Sequence, residues 1–140
     1  MAARLTLGML LLWPVLALGQ WQVQDAWVRE APPGSRMMAG YLVLRNAGDW
    51  PLTLTAVHSD AFQRVEIHRS MHDANGMMRM QRQNALTVAP GETLRMHPGG
   101  LHLMLIGPRQ PLRAGQRVRF RLLSASGKAQ ELSAEVRRQR

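Results

Sequence analysis

Leu101-His102-Leu103-Met104-Leu105 sets an imidazole and a thioether two residues apart inside an apolar run. In an extended chain alternate side chains point the same way, so the three leucines share one face and His102 and Met104 share the other. With the leucines in a core, the two donors stand side by side as a bidentate unit. His68 follows the same alternation: with Val65 and Ile67 inward, His68 and Glu66 point outward. Met78 and Met80 share one face of the next segment, beyond an Asn75-Gly76 dipeptide of the kind that turns a hairpin. Such a hairpin could carry these methionines back beside His68.

The donor types select the metal. Thioethers are soft and neutral, imidazoles are borderline, and two of each suit Cu(I) better than zinc, calcium or magnesium. The 140 residues include no cysteine, which removes a thiolate nucleophile, a thiolate zinc site and a blue-copper thiolate ligand. Methionine has no ionisable proton and survives in an oxidising compartment. A neutral ligand set leaves the ion its single positive charge, which favours the lower oxidation state and eases release to a thiolate recipient. No Ser-His-Asp or paired-carboxylate arrangement accompanies these residues, so the chain reads as a binding protein and not an enzyme.

The elements that must position the donors are strands. Extended segments are expected over 22–30, 40–45, 51–58, 62–68, 77–81, 86–88, 93–96, 101–106, 117–123 and 130–137, divided by turn signals such as Pro32-Pro33-Gly34, Pro90-Gly91 and Pro98-Gly99-Gly100. The reading is an all-β sandwich or barrel of about eight to nine strands. On this pattern Val23 and Trp27 share one face of the first strand, and Leu52 and Leu54 face away from Val57 in the third. Met37 and Met38 are expected to pack on a neighbouring strand. Trp21, Trp27 and Trp50 are read as structural, and His58 and His97 as surface residues.

Residues 1–19 read as a signal peptide. Arg4 precedes an apolar run from Leu5 to Leu18, and Ala17-Leu18-Gly19 supplies small residues ahead of a cut before Gln20. The domain then spans 20–137, with a basic tail over 138–140 and a frayed end from Arg137. The net charge is +9, and Lys128 is the only lysine. Export and the scattered arginines argue against nucleic acid as the partner; a solvated basic surface is the plainer reading. Membrane contact would be peripheral at most, and the protein is expected to be a monomer.

The spacing from His68 is ten residues from Ser70 to Arg79, then Met80, twenty-one residues from Gln81 to Leu101, and His102-Leu103-Met104. It resembles the signature of the periplasmic copper chaperones called PCu(A)C: His, an optional Met, ten residues, Met, twenty-one residues, His, any residue, Met. Asp25-Ala26-Trp27, Pro32-Pro33-Gly34, Ala39-Gly40-Tyr41, Val65-Glu66-Ile67-His68 and Pro98 to Leu105 are similar to the family as well. The optional Met is Arg69 here, where a cation could weaken Cu(I) binding or shape a docking surface. The family's longer Met/His-rich tail has no counterpart in the arginine-rich end.

The resemblance implies a cupredoxin-like Greek-key fold and one Cu(I) per chain on His68, Met80, His102 and Met104. It also implies delivery in the periplasm toward the dinuclear copper centre of cytochrome c oxidase, to subunit II directly or through a Sco-type thiol protein. The alternative function is copper buffering or resistance without a dedicated recipient. Met71, His72, Met77 and Met78 admit two readings: an auxiliary or transient copper-loading site, or a loop that tolerates exposed methionine.

Overall fold

Apolar–polar alternation, broken by a turn-forming pair every ten residues or so, builds a fold of strands. The computed structural model describes residues 21–138, and among these it contains ten strands and no helix. They are β1 (Trp21–Arg29), β2 (Met37–Asn46), β3 (Leu52–His58), β4 (Phe62–His72), β5 (Met78–Arg82), β6 (Leu86–Val88), β7 (Thr93–Arg95), β8 (Leu101–Pro108), β9 (Arg117–Ser124) and β10 (Ala129–Arg137). All ten extended segments read from the sequence form strands, including the three-residue β6 and β7 on β3 and β2, so the count is ten where about eight to nine were expected.

The ladder order is β5-β4-β8-β2-β1-β10-β9-β3-β6, with β7 added on β2. Most pairs are antiparallel; β1 and β10 run parallel. The sheet curls over on itself. Phe62 of β4 stacks on Phe120 of β9 at 6.3 Å between ring centroids, although β4 and β9 lie far apart in the ladder. Between the two halves sit Val28, Leu42, Leu44, Leu54, Leu103, Leu105 and Leu122. This is the all-β, cupredoxin-like architecture expected.

Leu101, Leu103 and Leu105 are all buried, as the alternation of β8 requires. Burying a leucine side chain is worth about 1.5–3 kcal/mol. A one-residue slip of β8 would expel all three and drive His102 and Met104 into the core, so the leucines fix the register that holds the donors on the opposite face.

Two bulges reverse the expected alternation elsewhere. β1 shifts register between Gln24 and Trp27, where Asp25 has a φ of 45°. Beyond it Val28 pairs with Gly40 and joins Val23 on the side of Leu44, while Trp27 turns to the other side and packs on Tyr41. β3 shifts between Leu54 and Ala56, which brings Leu54 and Val57 together in the core.

Three further expectations are corrected. Met37 and Trp50 are exposed, whereas Met38 and Trp21 are buried. Arg137 and Arg138, expected to fray, are tied down: Arg137 lies in β10 and pairs with Asp25 at 2.9 Å, and Arg138 pairs with Glu30 at 2.9 Å. The signal peptide, its cleavage after Gly19 and tail residues 139–140 lie outside the described residues. Among the described residues no helix is long and apolar enough to cross a membrane.

Candidate metal centre

β4 lies between β5 and β8, and the register of the three strands assembles the site. His68 pairs directly with His102, and Glu66 with Met104. On the other side His68 pairs with Arg82, and Ser70 with Met80. All these side chains share the face turned away from Ile67 and Leu103. His68, His102 and Met104 therefore come together on adjacent strands. Met80 joins the same face one strand further out, diagonal to His68, a separation that long side chains span.

The imidazoles of His68 and His102 stand 6.0 Å apart between centroids, tilted by 41°. Metal–imidazole bonds are about 2.0–2.1 Å long, so one ion fits between the rings. The site is more enclosed than an outward face would be. His102 is 7% exposed, and the side chain of His68 is 13% exposed. Met104 is half-buried, while Met80 is exposed on the edge strand.

Hydrogen bonds decide which nitrogen each ring offers. His102 Nδ1 lies 3.0 Å from the Gly100 carbonyl oxygen. A carbonyl only accepts, so Nδ1 carries the proton and Nε2 keeps its lone pair. His68 Nε2 lies 2.8 Å from Glu66 Oε2. That hydrogen bond holds the Glu66 carboxyl below the usual carboxylate range, helped by Arg64 and Arg82 and opposed by burial. Glu66 is thus an acceptor, His68 donates from Nε2, and the lone pair falls on Nδ1. Nδ1 of His68 is buried with no hydrogen-bond partner. Buried polar atoms are rarely left unpaired, and such an atom on a ring 6.0 Å from a second imidazole fits a metal ligand. Metal-bound histidines commonly give their other N–H to a carboxylate or a carbonyl, and both arrangements are present here.

Arg69 does not crowd the donors. It pairs with Leu101 and Gln81, so alternation sends it to the face opposite His68. Arg82 shares the donor face but reaches toward Glu66, at 3.7 Å. The four auxiliary candidates are all exposed, and the register divides them. His72 pairs with Met78 on the donor face, whereas Met71 pairs with Arg79 on the other. Met77 precedes β5, and its backbone closes the turn with Asp73.

Two residues near the donors acquire roles that the pattern left unassigned. Glu66 holds His68, and its position two residues before that histidine was the available signal. His97 is exposed, but its ring lies over Gly100, where an added Cβ would come within 2.6 Å of Nε2. Glycine at 100 makes room for that ring. Beside this cluster, Met104 and Glu66 line an open groove with Arg36, Met37, Arg64 and Arg109.

Residues 21–136 match the model of a family described as "LpqE-like: Putative lipoprotein LpqE-like". The chain belongs to the LpqE-like family. This is the PCu(A)C family to which the spacing pointed. A relative described as "Putative lipoprotein Lxx21020", from Leifsonia xyli subsp. xyli, is 32% identical over 117 residues, covering 83% of this chain and 69% of its own. Among solved structures, the copper-bound PCuAC domain of PmoF2 superposes with a TM-score of 0.71 at 24% identity, over 88% of this chain and 97% of that domain. Cu(I)-bound DR1885 from Deinococcus radiodurans gives 0.68 at 27% identity, over 89% of this chain and 82% of that protein.

Proposed function

We propose that this LpqE-like protein is an exported Cu(I) carrier, without catalytic turnover, that holds one ion on His68, Met80, His102 and Met104. The observation that carries this reading is the buried, unpartnered Nδ1 of His68 on a ring 6.0 Å from that of His102, with the other nitrogen of His68 and Nδ1 of His102 each held by an acceptor. The donor set of two imidazoles and two thioethers is soft and neutral, as Cu(I) prefers. The copper-bound state of PmoF2's domain and the Cu(I)-bound state of DR1885 support the same cargo.

Delivery is what the resemblance to the PCu(A)C chaperones implies, and the chemistry of the donors supports it. Thioethers and imidazoles yield Cu(I) to thiolates, so transfer runs toward a cysteine-bearing acceptor. The recipient proposed is the dinuclear copper centre of cytochrome c oxidase, in subunit II or by way of a Sco-type thiol protein. The periplasm is the proposed location, supported by the signal-like residues 1–19 and by the lipoprotein descriptions of the relatives.

The test is a Cu(I) competition titration, X-ray absorption of the loaded protein, and then exposure to apo-subunit II or apo-Sco. One ion per chain, about equal nitrogen and sulfur ligation, and movement of copper to the acceptor are expected. Tight binding with no transfer to either acceptor would replace the carrier reading with buffering.

A further inference from the structure

The β4–β5 hairpin carries soft donors beyond the site just described. Backbone hydrogen bonds fix their geometry. Asp73 N–H donates to Met77 O at 2.9 Å, and Gln83 N–H donates to Ile67 O at 2.8 Å. These are the hydrogen-bonded positions of the hairpin, and they recur at every second residue of β4. The intervening pairs, His72 with Met78 and Ser70 with Met80, are the non-hydrogen-bonded ones. Pairs of that kind bring Cα atoms to about 4.5 Å and side chains to their closest approach.

His72, Met78 and Met80 therefore crowd one patch of one face. Met78 is directly across from His72. Met80 is two residues along from Met78 and diagonal to His72, within reach of a side chain with three rotatable bonds. All three are exposed. Arg79, between the methionines, points to the opposite face and pairs with Asp73 at 2.9 Å, while Arg82, two residues beyond Met80 on the same face, reaches toward Glu66 at 3.7 Å. Ser70, facing Met80, is small and leaves the patch open toward His68.

We propose that His72, Met78 and Met80 form a second Cu(I) site at the hairpin tip, sharing Met80 with the inner site. This rests on the copper reading above and extends it. Met80 is one register step from His72 on one side and one step from His68 on the other. An ion on the outer donors reaches the inner ones by exchanging His72 and Met78 for His68, His102 and Met104 while Met80 stays bound. The exchange moves no electron and no proton: the ion remains Cu(I), and the donors are neutral throughout.

The test uses the full chain with His68→Ala and His102→Ala, titrated anaerobically with Cu(I) against a chromophoric chelator. Affinity should fall yet leave one weaker site, whose X-ray absorption shows more sulfur than nitrogen. Adding His72→Ala and Met78→Leu, or Met80→Leu alone, should weaken that residual site by about tenfold or more. Residual binding that is absent, or indifferent to His72 and Met78, overturns the second site. An affinity unchanged by the first two substitutions instead overturns the inner site, so the two failures are distinct. Circular dichroism on each variant checks the fold; the outer residues are exposed, so their substitution should leave the spectrum unchanged.

Discussion

His68 and His102 face each other across β4 and β8 with opposite ring nitrogens free, Nδ1 on His68 and Nε2 on His102. Glu66 and the Gly100 carbonyl impose this by accepting the other N–H of each ring. The pair is already oriented, so the Cu(I) binding proposed above would demand little rearrangement of either imidazole.

Loss of a donor should therefore act on copper and spare the fold. His102→Ala or Met104→Leu should each lower Cu(I) affinity by at least about tenfold. X-ray absorption should lose one nitrogen in the first variant and one sulfur in the second. Met80→Leu should remove one sulfur without moving the unfolding midpoint, because Met80 is exposed.

Glu66 should matter although it is not assigned as a ligand. Glu66→Gln keeps an acceptor for His68 Nε2 but discards the charge that Arg64 and Arg82 attend. Outer partners of metal-bound histidines typically contribute about 10–100-fold in affinity. Glu66→Ala should approach that range and Glu66→Gln should fall short of it. Nitrogen NMR of the His68 ring should show the tautomer preference weakened in the alanine variant.

Leu103 anchors the strand that presents His102 and Met104. Leu103→Ala should cost about 2–5 kcal/mol, read from denaturant unfolding. Copper affinity should fall with it only when stability no longer keeps β8 in register, a link that titration at two temperatures would reveal.

The hairpin tip should loosen in acid. Arg79 and the amides of Met77 and Asn75 hold the Asp73 carboxyl below its usual range. A carboxylate depressed by folding lends stability above its unfolded pKa, and that stability is lost as the pH falls through the lowered folded value. Amide exchange at Asn75 and Met77 should therefore accelerate relative to β8 as the pH falls below about 3.9, the ordinary aspartate value.

The donor face was legible because β4, β5 and β8 are regular near the site. Alternation alone separated His102 and Met104 from three leucines, and Asn75-Gly76 announced the hairpin that brings Met80 alongside. The same rule misplaced Trp27 and Val57. In β1 and β3 a bulge inserts one residue and inverts the faces beyond it, and Asp25, the pivot in β1, carries no glycine to advertise its positive φ. Glu66 escaped notice because its part depends on a side-chain hydrogen bond, which strand period does not encode. The aim of Arg69 was readable from that period but was overshadowed by its adjacency to His68.

The exposure of Met80 gives the centre two unlike sides. Three donors are rooted in strands with neighbours on both edges, and the fourth stands on an outermost strand facing water. In the copper site proposed above, an approaching acceptor would meet that fourth donor first. A thiolate would then take its place one bond at a time, while the remaining three would keep the ion from escaping into solution.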